Sequence, residues 1–185
     1  MLLKDNIRKR YYNLRKKKYF EVSIKYFKPI IDLLNSITKT KKTYLSLYYP
    51  SNFEVNTLEL FKSISSKKNL ITLLPSISSN KNMKFYRWNF LDNLKVNQYG
   101  MLEPVILKKP IVPNIILVPI IAFDNDNNRL GYGKGYYDKF LNKYLKLNLN
   151  ILTVGVAFSF QKYKKLPSSN FDVKLNYILT EKGLK

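Results

Sequence analysis

The sequence predicts an α/β fold: a single three-layer domain with a mostly parallel sheet and helices on both faces. Three observations carry this. Short apolar runs rich in β-branched residues, such as residues 115–118 and 150–158, are bounded by prolines or polar turns, as strands buried on both faces are. Such runs alternate along the chain with longer stretches of helical period. The 185 residues suit one domain with a sizeable core, and neither an internal repeat nor a Gly/Ser linker divides them.

Taken in order, residues 2–18 read as a basic helix, with Leu3, Ile7, Leu14 and the tyrosines giving a rough 3.6 period. Lys4 and Arg8 are four apart and share one face. Residues 19–37 predict a second helix with Val22, Tyr26, Ile30, Leu33 and Leu34 on its apolar side, and Pro29 within it marks a kink or a break. Residues 43–49 have the composition and alternation of a strand, ended by Pro50. Residues 51–57 form a loop entering another helix, with Asn56 or Thr57 as its N-cap. Glu54, one of few acids here, has pairing with a nearby lysine as its plainest structural role. Residues 70–74 read as a buried strand stopped by Pro75, and residues 76–82 as a polar loop. Residues 83–88 alternate like a strand, with Phe85 and Arg87 on one face and Lys84 and Tyr86 on the other. Gly100-Met101-Leu102-Glu103-Pro104 is a turn followed by an extended segment. Residues 136–147 predict a helix, residues 150–158 a strand parallel to the one at 115–118, and residues 177–180 a short strand in the tail. In such sheets ligands bind beyond the carboxyl ends of the strands, so the loops after Tyr49, Pro75 and Phe123 become neighbours around one site.

Composition narrows the chemistry. There is no cysteine, hence no disulfide and no thiolate metal site, and no histidine, hence no imidazole base or ligand. Catalysis must run on carboxylates, lysine, arginine, tyrosine or a bound cofactor. Lys and Arg number 33 against 12 Asp and Glu, a net charge of +21. Charge of that size raises the prior for a nucleic-acid partner. However, the lysines are spread along the chain, arginine is scarce, and Asn, Ile and Tyr are abundant while Ala122 and Ala157 are the only alanines. That bias is the mark of compositional drift more than of a dedicated nucleic-acid surface, and no specific nucleic-acid partner is expected. No apolar run reaches about 18 residues, so no transmembrane helix is expected. The basic N-terminus lacks the apolar stretch of a secretory signal and the serines of a transit peptide, which makes the cytoplasm the expected location.

The richest stretch follows the strand at 115–118. Residues 124–128 are a turn cluster; Gly131, Gly133 and Gly135 then fall at every second position, directly before a helical pattern opening at Tyr136. Glycines permit positive φ and close approach of a ligand to the backbone. The free N–H groups of a helix start suit phosphate, and Arg129 and Lys134 add two cations. The loop is neither a Walker sequence nor a dinucleotide fingerprint. Glycine spacing by itself fits an unliganded turn as readily as a phosphate loop; the density of Arg, Lys, Tyr and Asp around it points to a phosphorylated ligand.

Arg129-Leu130-Gly131-Tyr132-Gly133-Lys134-Gly135-Tyr136-Tyr137-Asp138, preceded by Pro119-Ile120-Ile121-Ala122-Phe123-Asp124, closely resembles the signature of the 5-formyltetrahydrofolate cyclo-ligases, also called methenyltetrahydrofolate synthetases. The likeness extends over nearly the whole chain through Glu54-Val55-Asn56-Thr57, Leu74-Pro75, Met83-Lys84-Phe85, Gly100 to Pro104, Val154-Gly155-Val156-Ala157-Phe158, Gln161, Leu166-Pro167 and Asp172 to Thr180. The resemblance implies ATP- and magnesium-dependent closure of 5-formyltetrahydrofolate to 5,10-methenyltetrahydrofolate through an imino-phosphate, with release of ADP and phosphate. It implies ATP contacts from Lys4, Arg8, Arg129, Leu130, Gly131, Tyr132, Gly133, Lys134, Gly135, Tyr136 and Tyr137, with Arg129 and Lys134 opposite the phosphates. It implies substrate contacts from Glu54, Asn56 and the loop Tyr132 to Tyr136, stacking of the folate ring on Tyr48 or Tyr49, and magnesium on Asp138, with Asp172 as a second acidic contact. Phosphoryl transfer suits a site without His or Cys, because it rests on positioning and charge neutralisation. A monomer is expected, and nearby lysines would suit a polyglutamate tail on the folate.

Three positions depart from the family pattern: Asn56 stands for a carboxylate, Ser169 for glutamate, and Phe171 for histidine or tryptophan. They bear on substrate affinity more than on reaction class. Two other readings follow from the same residues. One is a basic α/β module binding RNA, which needs a contiguous basic face with exposed aromatics. The other is a relative that binds nucleotide or folate without turnover, against which the intact 129–138 segment speaks.

Overall fold

A computed structural model describes residues 2–78, 80–105, 109–147 and 149–185. Ser79, within the predicted polar loop, lies outside the described residues. Helix α1 (Leu2–Lys18) opens the chain and turns Ile7 and Tyr11, together with Arg15, inward. The expected second helix is two pieces: a 3-10 turn at Ile24–Phe27 and α2 (Lys28–Ile37). Pro29 does not kink a long helix; it stands in the first turn of α2, where no intrahelical donor is needed. Strand β1 (Thr43–Ser46) ends three residues earlier than expected, and α3 (Leu58–Ile64) follows. Thr57 takes the N-cap position of α3, but its hydroxyl donates to the Tyr48 carbonyl at 2.6 Å. Asn56 caps instead, its Oδ1 accepting the Leu58 N–H at 3.0 Å.

Strand β2 (Leu70–Ile77) runs through Pro75 rather than stopping at it. Its parallel pairing with β1 ends at Leu73, so Pro75 lies where β1 requires no donor, opposite Phe85 of antiparallel β3 (Met83–Arg87). The turn at 97–100 joins a hairpin, β4 (Leu94–Val96) and β5 (Leu102–Pro104), of which only the second arm shows in the sequence. Strand β6 (Ile115–Pro119) leads into a small hairpin, β7 (Ala122–Phe123) and β8 (Arg129–Leu130), then the glycine loop and α4 (Tyr136–Leu145). Strands β9 (Leu152–Val156), β10 (Tyr177–Thr180) and β11 (Gly183–Leu184) complete the chain.

The main sheet has seven strands in the order β11-β10-β9-β6-β1-β2-β3, parallel from β10 to β2 with an antiparallel strand at each edge. Alternation along the central strands feeds two cores. Leu45, Leu117, Val154 and Leu179 pack with Ile30, Leu34, Leu60 and Phe61 of α2 and α3 on one face. Leu73, Ile116, Val118 and Ile178 pack with Phe140 and Leu141 of α4 on the other. Helix α1 closes a third cluster at the rim, laying Ile7 and Tyr11 on Ile121, Ala122 and Leu130 of the small hairpin. The strand order reverses between β6 and β1, which leaves a crevice at their carboxyl ends. Among the described residues, no helix is long and apolar enough to cross a membrane.

Candidate active site

That crevice is a cavity of about 580 Å³. Its walls are the residues leaving β1 (Tyr48, Tyr49), Pro75 and Ile77 of β2, Val118 and Pro119 of β6, the β4–β5 hairpin, and the whole 129–138 segment. Lys4 and Arg8 of α1, Glu54 and Asp172 join them. Every residue assigned a ligand role from the sequence lines this one space except Asn56. The amide of Asn56 caps α3 and faces Glu21 at 3.4 Å, so the geometry gives no support to its expected folate contact.

The glycine loop is held from both ends. Asp124, buried under the β7–β8 turn, accepts the Asp126 and Asn128 N–H groups at 3.0 Å and the Leu166 N–H at 3.0 Å. Two glycines of the loop are obligatory. Gly133 has φ +91°, and a Cβ there would sit 3.1 Å from the Arg8 Cζ. Gly135, φ +67°, is the N-cap of α4, whose first-turn N–H groups open toward the loop. Arg8 in turn grips the loop, its Nε donating to the Gly131 carbonyl at 2.9 Å.

The cations differ in their freedom. Arg129 is ion-paired to Asp138 Oδ1 at 2.6 Å and also donates to the Val173 carbonyl, with only 5% of its side chain exposed. It faces that carboxylate and also lines the cavity beside the glycine loop. Lys4 is paired with Asp172 at 2.6 Å. Lys134 is exposed, lies 5.9 Å from the centre of the Tyr99 ring, and has no acidic partner among the described residues. Tyr99, from the tip of the β4–β5 hairpin, shares a hydroxyl hydrogen bond with Tyr136 across the cavity mouth. Burial works to raise the Asp172 carboxyl, but hydrogen bonds from Lys4 and Ser169 outweigh it and hold the group below its ordinary 3.8.

Whether the site suits magnesium depends on the free oxygens of its two aspartates. Asp138 Oδ1 is occupied by Arg129 and the Val173 N–H, and Asp172 Oδ2 by Lys4 and Ser169. The second oxygen of each carboxylate has no protein partner among the described residues, and no cluster of three acidic or imidazole ligands exists there. Two part-satisfied carboxylates beside a glycine loop at a helix start fit a small hard cation that takes its remaining ligands from a bound ligand and water.

Sequence reasoning named Glu54 and Tyr132 but missed the bonds that join them, and missed Arg15 behind them. Glu54 is not paired with a lysine. It is 6% exposed, and its Oε1 accepts the Tyr132 hydroxyl at 2.7 Å while Oε2 accepts the Ser51 N–H at 2.9 Å. The same Tyr132 hydroxyl accepts from Nη2 of Arg15, 2.6 Å away. Burial raises the Glu54 carboxyl above its ordinary value, opposed by Tyr132, Arg15 and Ser51. The signal for Arg15 was available: with Ile7 and Tyr11 it keeps a strict four-residue spacing on the apolar face of α1. Glu103, buried at 4%, was visible only as part of a motif; it accepts the Ile77 N–H at 3.1 Å and so docks the β4–β5 hairpin against β2. Of the expected stacking pair, Tyr48 spends its hydroxyl on the Val55 carbonyl in the core, while Tyr49 is half-buried.

A parallel sheet with its crevice at the strand-order reversal, a glycine loop at a helix start and converging cations define an α/β enzyme acting on a phosphorylated ligand. Comparison with known proteins gives the family. The sequence model of the 5-formyltetrahydrofolate cyclo-ligase family matches residues 3–181. The 5-formyltetrahydrofolate cyclo-ligase of Haemophilus influenzae is 30% identical over 151 residues, 79% of this chain and 80% of that protein. The solution structure of Aquifex aeolicus 5,10-methenyltetrahydrofolate synthetase superposes with a TM-score of 0.74 at 32% identity, covering 99% of this chain and 92% of that one. A 5,10-methenyltetrahydrofolate synthetase from Mycoplasma pneumoniae shares the fold, with a TM-score of 0.69 at 23% identity over 95% of this chain and 97% of that one. The chain belongs to the 5-formyltetrahydrofolate cyclo-ligase family, the enzymes that close 5-formyltetrahydrofolate to 5,10-methenyltetrahydrofolate with ATP.

Proposed function

We propose that this chain carries out the family's ring closure in the 580 Å³ cavity, with ATP and folate side by side across the glycine loop. The observation that carries this is convergence: Lys4 and Arg8 from α1, the 129–138 loop, Glu54 and Asp172 come from four distant parts of the chain and line one space. The ATP phosphates lie along the loop N–H groups and the α4 start, near Lys4 and Arg8. Lys134, at the mouth and without an acidic partner among the described residues, neutralises charge on the transferring phosphoryl group. Arg129 holds Asp138 in place. Buried Glu54 and the Tyr132 hydroxyl bonded to it form the polar wall against the folate, and Tyr49 offers a half-buried ring face. Asp138 and Asp172 would hold magnesium, which supplies charge neutralisation at the phosphates when bound.

The formyl oxygen attacks the γ-phosphorus, the bond to the β-phosphate oxygen breaks, and ADP leaves. The neighbouring amine nitrogen then attacks the activated formyl carbon, its proton passes to the departing phosphate, the C–O bond breaks, and phosphate leaves with the formyl oxygen. The protein has no strong base to offer here and needs none: positioning and electrostatics suffice. The test is isotopic. Substrate labelled with ¹⁸O in the formyl group should yield inorganic phosphate bearing that label, one per methenyl-folate formed. Label lost to water instead would rule out phosphoryl transfer to the formyl oxygen.

A further inference from the structure

Arg15 is the largest fully buried side chain among the described residues, 1% exposed, on a helix whose other charged residues face solvent or the cavity rim. It has no carboxylate partner among the described ion pairs. Instead its guanidinium reaches three elements at once. Nη1 donates to the Ile120 carbonyl just after β6 at 3.3 Å, and Nη2 to the Asn52 carbonyl at 2.7 Å and the Tyr132 hydroxyl at 2.6 Å. Nε is buried with no partner. A buried arginine that leaves a donor unsatisfied is a poor device for stability alone, since an apolar side chain of similar size would avoid both costs.

What Arg15 touches is informative. Asn52 and Phe53 both adopt left-handed backbone, φ +50° and +61°, in the turn that presents Glu54. For a phenylalanine this is an uncommon and costly conformation. Tyr132 sits between Gly131 and Gly133, where the loop has least backbone restraint of its own. The hydrogen bonds run in one direction, from the Arg15 N–H to the Tyr132 oxygen and from the Tyr132 O–H to Glu54 Oε1. Arg8, seven residues and about two helical turns earlier on the same face, fixes the preceding carbonyl at Gly131.

We propose that Arg15 is a positioning residue for the ring closure: acting through Tyr132, it locks the glycine loop to the Glu54 turn so that the phosphate side and the folate side of the cavity keep one fixed separation. The inference rests on the two-ligand reading of the cavity. Arg15 itself contacts neither substrate. Lysine at this position keeps the charge but not the fork, so it cannot hold Ile120, Asn52 and Tyr132 together.

The experiment is a cycle of Arg15→Lys, Tyr132→Phe and the double variant, each checked for a cooperative melt. Each single change should lower kcat at least about tenfold with a smaller effect on the KM for ATP, because misplacement costs rate more than ground-state binding. The double variant should be no slower than the slower single one, as for residues acting in series. Effects that multiply, or Arg15→Lys melting lower with an unchanged kcat, would overturn the proposal and leave Arg15 a core residue. A second readout needs no turnover: amide hydrogen exchange at Gly131 to Lys134 in the ligand-free protein should quicken in both single variants. If the wild-type chain formed no methenyl-folate, that exchange would still decide the clamp, while the reading of the cavity would fail separately. Exchange unchanged in Arg15→Lys would overturn the clamp whatever the activity.

Discussion

At the scale of residues, single atoms decide what the loop can tolerate. At Gly133 an alanine would meet Arg8 at 3.1 Å and be strained by φ +91°. Gly133→Ala is therefore expected to raise the KM for ATP by about tenfold or more, seen in initial rates against ATP, with a small loss in Tm. Glu54 gives a pH signature. Its carboxyl lies above the ordinary 4.5 chiefly through burial, so the folded chain binds that proton more tightly than the unfolded one. Its contribution to stability then falls as pH rises from 4.5 through the raised value. Asp124 and Asp172 have the opposite sign and another window: each sits below 3.8, because hydrogen bonds outweigh its desolvation, and their stabilisation is lost as pH falls beneath that value. The groups facing Glu54 are Arg15, Tyr132, Tyr48 and Tyr137; Tyr132 is 38% exposed as a whole, yet desolvation of its hydroxyl, as of the other two, pushes it above 10.0, so Glu54 is the one that titrates there. Glu54→Gln should flatten the decline of Tm as pH rises above 4.5; a slope identical to wild type would show that Glu54 does not change protonation there. Most of these residues were legible from sequence because their motif is dense. Arg15 shares the four-residue spacing of Ile7 and Tyr11, but its role was not legible, because the residues it bonds, Asn52, Ile120 and Tyr132, are brought to it only by the fold.

Elements set which of those residues meet. Helix α1 carries Lys4, Arg8 and Arg15 on the face that also buries Ile7 and Tyr11, so packing the helix positions the chemistry. Helix α4 presents Asp138 in its first turn, where the helix dipole favours a carboxylate, and there it neutralises Arg129. Asp138→Ala leaves that buried guanidinium unpaired and should cost about 2 kcal/mol of stability, less than for a fully enclosed pair because Asp138 is partly exposed. A denaturant titration checks it, and an unchanged midpoint would mean Arg129 finds another acceptor. Element boundaries were harder to read than their existence. Pro29 and Pro75 both looked like breaks, yet one starts a helix and the other lies in a strand, since a missing N–H is harmless wherever no partner awaits it. The short β4 and the β7–β8 hairpin escaped notice because strands of two or three residues leave no periodicity to detect.

At the scale of the molecule, sheet order does what no local pattern can. The reversal between β6 and β1 places their carboxyl ends around one crevice, and the expected neighbours after Tyr49 and Pro75 do meet there. The third expected neighbour, the loop after Phe123, instead turns back as a hairpin and delivers the glycine loop to the site. Four cations, Lys4, Arg8, Arg129 and Lys134, line the cavity against four carboxylates, Glu54, Glu103, Asp138 and Asp172. The site is thus nearly balanced in charge within a chain of net charge +21, so the excess is spread elsewhere over the molecule. Lys134 stands out as the cavity lysine without an acidic partner among the described residues, and the account gives it the developing charge on the phosphoryl group. The most direct test is the initial rate of methenyl-folate formation, followed by near-ultraviolet absorbance at saturating ATP and folate, for wild type and Lys134→Ala. The account predicts an ATP-dependent rate in wild type and a fall of about a hundredfold or more in the variant, with an unchanged melt. A wild-type rate in Lys134→Ala, or product formed without ATP, would contradict it.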